Sequence, residues 1–183
     1  MAEPGRTSRI NRAPVLTLWA AVVAERLGFE HAEALTLGRA LAGLTAQAKG
    51  VRLGIFEPAA PEEVDERRRR LGEGEQLEVQ LLGRTIAVVR TPEGLRALDK
   101  DKPAQASSVE RYLAGRFGKD LDAVHEAMQA LAGSLPPAEL ARRAFGLYEQ
   151  FRPAVPADEA GWGAKGVLKL DRIRSAMKER SRS

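Results

Sequence analysis

The chain contains no cysteine, which excludes disulfides, thiolate nucleophiles and cysteine-held zinc. Histidine is nearly as scarce. Only His31 and His125 offer an imidazole, and neither has a second histidine three or four residues away, so the sequence spells no helical metal pair and no general base with a visible partner. Aromatic residues make up 5% of the chain. They do not interleave with basic residues as on a single-strand platform, and Trp19, Phe145 and Phe151 fall instead on core stripes. Long apolar runs are missing too. The most apolar stretch, APVLTLWAAVVA at 13–24, falls short of the roughly twenty residues that span a bilayer. Preceded by Arg6, Arg9 and Arg12 and carrying small residues at Val22 to Ala24, it has the outline of a signal segment. Its continuation into ERLG, with Gly28 as a stop, is the competing reading of a buried first helix. There is no internal repeat.

What the chain does have is an ordinary globular balance. Its 183 residues, 44% hydrophobic and 30% charged, suit a single hydrophobic core and lie far from the signature of disorder. The formal charge of +4 is unevenly spread. Residues 1 to 12 carry three Arg against Glu3, a surplus of +2, and residues 161 to 183 carry seven Lys or Arg against Asp171 and Glu179, a surplus of +5; the stretch between is left at −3. Attraction to phosphate is therefore expected at the two ends rather than across the body.

Periodicity predicts mostly helices. Leu16, Trp19, Val23 and Leu27 form a stripe after Pro14, with Leu18 and Val22 beside it, and a second helix is expected from Ala32 to Lys49 with Leu35, Leu37, Leu41 and Leu44. Small residues at Gly38, Ala42 and Gly43 permit a close helix pair. In PEEVDERRRRLGEG the acids precede Arg67 to Arg70 at four-residue spacing, which favours a solvated helix over a phosphate patch. Alternating Leu77, Val79 and Leu81 followed by Ile86 to Val89 predict one β-hairpin between Glu75 and Thr91. Thr91-Pro92-Glu93 is read as the start of a short helix to Leu98, and DKDKPAQA as a loop. Ser107 with Glu110 has capping-box spacing, and Asp120 and Pro136-Pro137 open two further helices, the latter with Leu140, Ala144, Leu147 and Phe151 on one face. RPAVPADEAGWGAKG reads as a loop, and a last helix from Leu170 to Glu179 carries the stripe Leu170, Ile173 and Met177.

Two motifs invite chemistry and fail on context. GWGAKG from Gly161 to Gly166 has G-x-G-x-x-G spacing, but a dinucleotide or kinase glycine loop needs a fold that the remaining seventeen residues cannot supply. It is read as an irregular loop with Trp162 buried in a notch and Lys165 beside free amides. A helix-turn-helix can be laid on ALTLGRALAGLTAQAKGVRL through Ala34, Gly38 and Leu44, yet its second helix would present few base-reading side chains.

The blocks LTLWAAVVAERLG, VERYLAGRFG and YEQFRPAVPADEAGWGAKGVLKLDRIR, which together reach across most of the chain, resemble a family of small uncharacterised bacterial proteins. The resemblance implies a bacterial, cytoplasmic protein and carries no catalytic or binding residue with it.

These readings combine into a mainly α, single-domain helical bundle with one small β-hairpin, in which residues 1–12 form a flexible basic arm and residues 13–183 the domain with its basic C-terminal helix. The expected function is non-enzymatic binding of nucleic acid through phosphate contacts, with DNA and RNA not distinguished. The expected contacts are Arg6, Arg9, Arg12, Lys165, Lys169, Arg172, Arg174, Lys178, Arg180 and Arg182. The alternatives are a scaffold that meets an acidic protein partner, or a small enzyme whose site gathers a histidine or carboxylate beside Lys165. No catalytic residue, metal, cofactor or membrane contact is assigned.

Overall fold

The first helix is apolar nearly all round, and that composition only makes sense at the centre of the molecule. In the structure, a computed structural model that describes residues 7–52, 76–99, 102–153 and 165–180, α1 (Arg12–Arg26) is buried continuously from Pro14 to Ala24. It packs antiparallel on α2 (His31–Arg52). Gly38 makes that crossing possible. A Cβ built there would overlap the Thr17 carbonyl oxygen and lie 3.1 Å from the Ala21 nitrogen, so any side chain would force the two helices apart. Gly43 has open space in front of it and plays no such part.

Around α1 lie α3 (Ala106–Phe117), α4 (Leu121–Gly133) and α5 (Pro137–Phe151). The Trp19 indole Nε1 donates 2.9 Å to the Ala144 carbonyl of α5. Its ring meets Phe151 edge-on at 5.3 Å, and Tyr148 meets Phe151 in the same way at 6.0 Å. The expected stripe Leu140, Ala144, Leu147 and Phe151 is buried in full, and Pro136 and Pro137 occupy the N-cap and first-turn positions of α5. The capping box does not form. Helix α3 starts at Ala106 after Gln105, with no side-chain cap, and Glu110 points to His31 instead. Asp120 ends a 3-10 turn at Gly118–Asp120 that runs straight into α4, and it makes no side-chain cap there.

The expectation of a bundle with one hairpin is overturned: among the described residues six strands form two antiparallel sheets. The predicted hairpin is present as β2 (Gln76–Leu81) and β3 (Arg84–Thr91). Its turn is Leu82-Gly83 with φ of 47° and 76°, the doubly positive turn whose twist suits a two-residue hairpin. The segment read as a short helix after Thr91-Pro92-Glu93 is instead β4 (Gly94–Asp99), paired back on β3 with Thr91 opposite Gly94. A helix cannot use this stretch well. Gly94 sits at φ 116°, and Leu95 and Ala97 alternate with Arg96, so that one strand face can bury Ala97 against the core. Lys102–Pro103, expected in a loop, is the two-residue strand β5 at the end of β4.

Helix α2 covers what would otherwise be an open sheet edge. Glu33 Oε2 accepts the Leu95 backbone N–H at 2.9 Å, and Thr36 Oγ1 accepts that of Ala97 at 3.1 Å while donating to the Glu33 carbonyl. Glu33 also accepts, at 3.0 Å, the N–H of Glu30 just before α2. Hydrogen bonds from Glu30 and then Leu95 hold its carboxyl below the usual glutamate range.

The second sheet joins the two ends of the chain. Thr7–Asn11, expected within a flexible arm, is strand β1, and Lys165–Lys169, whose first two residues were expected in an irregular loop and the rest in the basic tail, is strand β6. They pair antiparallel from Thr7 opposite Lys169 to Asn11 opposite Lys165. Strand β6 leads directly into α6 (Leu170–Arg180), which packs on α4 and α5 with Leu170, Ile173 and Ala176 buried. Arg6, Arg182, Trp162 and the segment holding Arg67 to Arg70 lie outside the described residues.

Candidate nucleic-acid interface

A strand alternates its faces every residue, so pairing β1 with β6 sorts ten residues into an inner and an outer set. The inner set is apolar where it meets the core. Ile10 and Leu168 are 2% and 0% exposed, and Gly166 stands opposite Ile10. The outer set contains Thr7, Arg9 and Asn11 on β1, opposite Lys169, Val167 and Lys165 on β6. Arg9 and Lys169 are exposed, as is Val167, directly opposite Arg9, at 39%. Residues 7–11 and 165–169, drawn from the two segments with surplus positive charge, therefore lie side by side in one two-stranded ribbon.

Of the ten basic positions expected from sequence, the ribbon brings Arg9, Lys165 and Lys169 to one register, and α6 adds Arg172, exposed in its first turn, and Arg174. The Arg174 guanidinium lies 3.9 Å from Asp171 one turn earlier, an exposed and weak pairing. Lys178 and Arg180 belong to the last turns of α6.

Arg12 does a different job. Its Nε donates 3.0 Å to the Pro153 carbonyl, tying the start of α1 to the end of α5. Burial, followed by the positive charge of Arg152, pulls its pKa below the ordinary arginine value, with Tyr148 opposing. Arg152 was missed in the sequence. It is exposed, and its charge lies close enough to Arg12 to act on it. The only sequence signal for it is the Phe-Arg-Pro boundary at the end of α5, which marks a helix terminus and not a site.

The two histidines lie on separate helices. His31 is exposed at the start of α2, with its ring nitrogens 3.2 Å from Glu25 and 3.4 Å from Glu110, and His125 is half-buried on α4. Among the described residues no helix is long and apolar enough to cross a membrane. Comparisons with protein-family models, with curated proteins and with solved structures give no match.

Proposed function

We propose that the protein binds nucleic acid with little sequence preference, using the β1–β6 ribbon and the first turn of α6 as a phosphate-contacting surface. The observation that carries this reading is the register of the ribbon, in which exposed Arg9 and Lys169 share a face formed from opposite ends of the chain. A two-stranded ribbon is narrow enough to enter a duplex major groove, about 12 Å wide. Arginine and lysine on such a ribbon supply backbone contacts that set position without reading bases. The exposed Val167 at its centre also suits an acidic protein partner, whose binding would be less dependent on salt.

Titration of the full chain with labelled duplex and single-stranded DNA and RNA at two salt concentrations tests the proposal. Each phosphate contact contributes a logarithmic salt slope of roughly −0.9 on duplex DNA. The combined substitution Arg9→Gln, Lys169→Gln and Arg172→Gln should flatten the slope by about 2.7, while neutralising Arg67 to Arg70 should leave it unchanged. Absence of binding by the intact protein at low salt would sink the nucleic-acid reading in favour of the protein partner.

A further inference from the structure

Away from the outer face of the ribbon, two arginines from different helices converge on one tyrosine. The guanidinium carbon of Arg39, on α2, lies 4.2 Å from the centroid of the Tyr112 ring on α3, and that of Arg116 lies 5.6 Å from it. Both arginines are exposed and the ring is half-buried. Among the described residues neither arginine has a carboxylate partner at ion-pair distance. Glu110, on the same helix as Tyr112, is engaged with His31, and Arg111 reaches only the Ser108 hydroxyl at 3.4 Å.

A guanidinium stacked over an aromatic ring is held in place by its face, while its N–H donors project in its own plane. Two guanidinium groups lie over one ring, Arg39 also hydrogen-bonding the Tyr112 side chain, and each has more donors than these contacts use. Their complement is a compact anion with several acceptor oxygens, and a phosphoryl group has this form. We propose that Arg39, Tyr112 and Arg116 form a binding site for a phosphoryl group. Burial raises the Tyr112 pKa, with Arg39 and Arg116 acting against it, so its hydroxyl stays protonated near neutrality and can donate to the same oxygens. Helix α3 also packs against β1. The phosphoryl group therefore has two sources, a free phosphate or the backbone of a strand already held at the ribbon. The site itself does not depend on the ribbon reading.

The test is calorimetric titration of the full chain with inorganic phosphate and, separately, with an eight-nucleotide thymidine strand. Arg39→Gln and Arg116→Gln should each weaken inorganic phosphate by about tenfold, the scale of one charge-assisted hydrogen-bonding group. Tyr112→Phe should weaken it by less, and Arg9→Gln with Lys169→Gln should leave it unchanged. If Arg39→Gln also weakens the thymidine strand, the phosphate comes from nucleic acid. If the strand is unaffected while inorganic phosphate is weakened, the ligand is a free phosphate, and either result supports the site. Unsaturable heats with inorganic phosphate, or equal phosphate affinity in the native, Arg39→Gln and Arg116→Gln proteins, would overturn it. A lowered melting midpoint with unchanged phosphate affinity would likewise assign the trio to α2–α3 packing alone.

Discussion

The two sheets are built by opposite means. In the four-stranded sheet the principal strands are neighbours in the chain, joined by Leu82-Gly83 and Pro92-Glu93, and local turn geometry sets their register. In the β1–β6 ribbon the partners come from the two ends of the chain, and no turn relates them. Register there rests on which residues can be buried: Ile10 and Leu168 fit the core, and a one-residue slip would replace them with Arg9, Lys169 or their neighbours. A locally set sheet tolerates changes in what lies behind it. A sheet set by burial does not, and here its loss would also scatter the basic groups that the proposed function needs together.

The largest expected effect follows from this difference. Leu168→Ala removes a fully buried side chain and should cost about 2 to 5 kcal/mol. Hydrogen exchange should then show protection falling at 7–11 and 165–169 well before it falls in β2, β3 and β4. Equal loss of protection in both sheets would show that the ribbon is not supported separately from the four-stranded sheet.

A smaller effect is expected where the four-stranded sheet itself depends on tertiary contact. Thr36→Val keeps the shape of the side chain but leaves the buried Ala97 N–H without its acceptor, which should destabilise by about 1 to 3 kcal/mol. The exchange of the Ala97 amide should quicken selectively, whereas the β2–β3 hairpin should be unaffected. If hairpin amides quicken to the same extent, the edge contact with α2 supports the whole sheet and not just β4.

The smallest expected effect belongs to the helical core that both sheets rest on. Tyr148 is buried, and among the described residues its hydroxyl has no hydrogen-bond partner, so Tyr148→Phe should be neutral or stabilising by about 1 kcal/mol at neutral pH. Burial pushes its pKa up from 10.0 to about 12. The unfolded chain therefore releases this proton near pH 10 while the folded chain retains it, and the stability from the protonated form, complete below pH 10, is lost as pH rises towards 12. Denaturant melts at pH 7 and pH 11 should show a smaller alkaline loss in Tyr148→Phe than in the native protein. An equal loss in both would place the pH dependence elsewhere.

Helices and stripes were legible because their signal repeats within one element. The α1 and α5 stripes and the Pro136-Pro137 start appear where periodicity and capping chemistry put them. The β4 segment was not legible, because Thr-Pro-Glu serves a helix start and a turn equally well. What tips it to a strand is the pair of acceptors that Glu33 and Thr36 present from a helix sixty residues earlier. The basic character of the ends was legible as charge, and Arg9, Lys169 and Arg172 are exposed. The separation of Arg12 from them was not, since its carbonyl partner is Pro153. Likewise nothing near Arg39 in the sequence points to Tyr112.

The sequence by itself determined the helical elements, the apolar faces they bury, the β2–β3 hairpin and the concentration of positive charge at both ends, because each of these is a pattern of composition within a few turns of chain. Only the tertiary structure decided that those ends pair as a ribbon, that β4 is a strand, and that Arg39 of one helix reaches Tyr112 of another. These features depend on which donor meets which acceptor and which side chain fills which space across separations of sixty to more than a hundred residues. No local propensity encodes such meetings; they follow from the burial of α1 and the packing of the other elements around it.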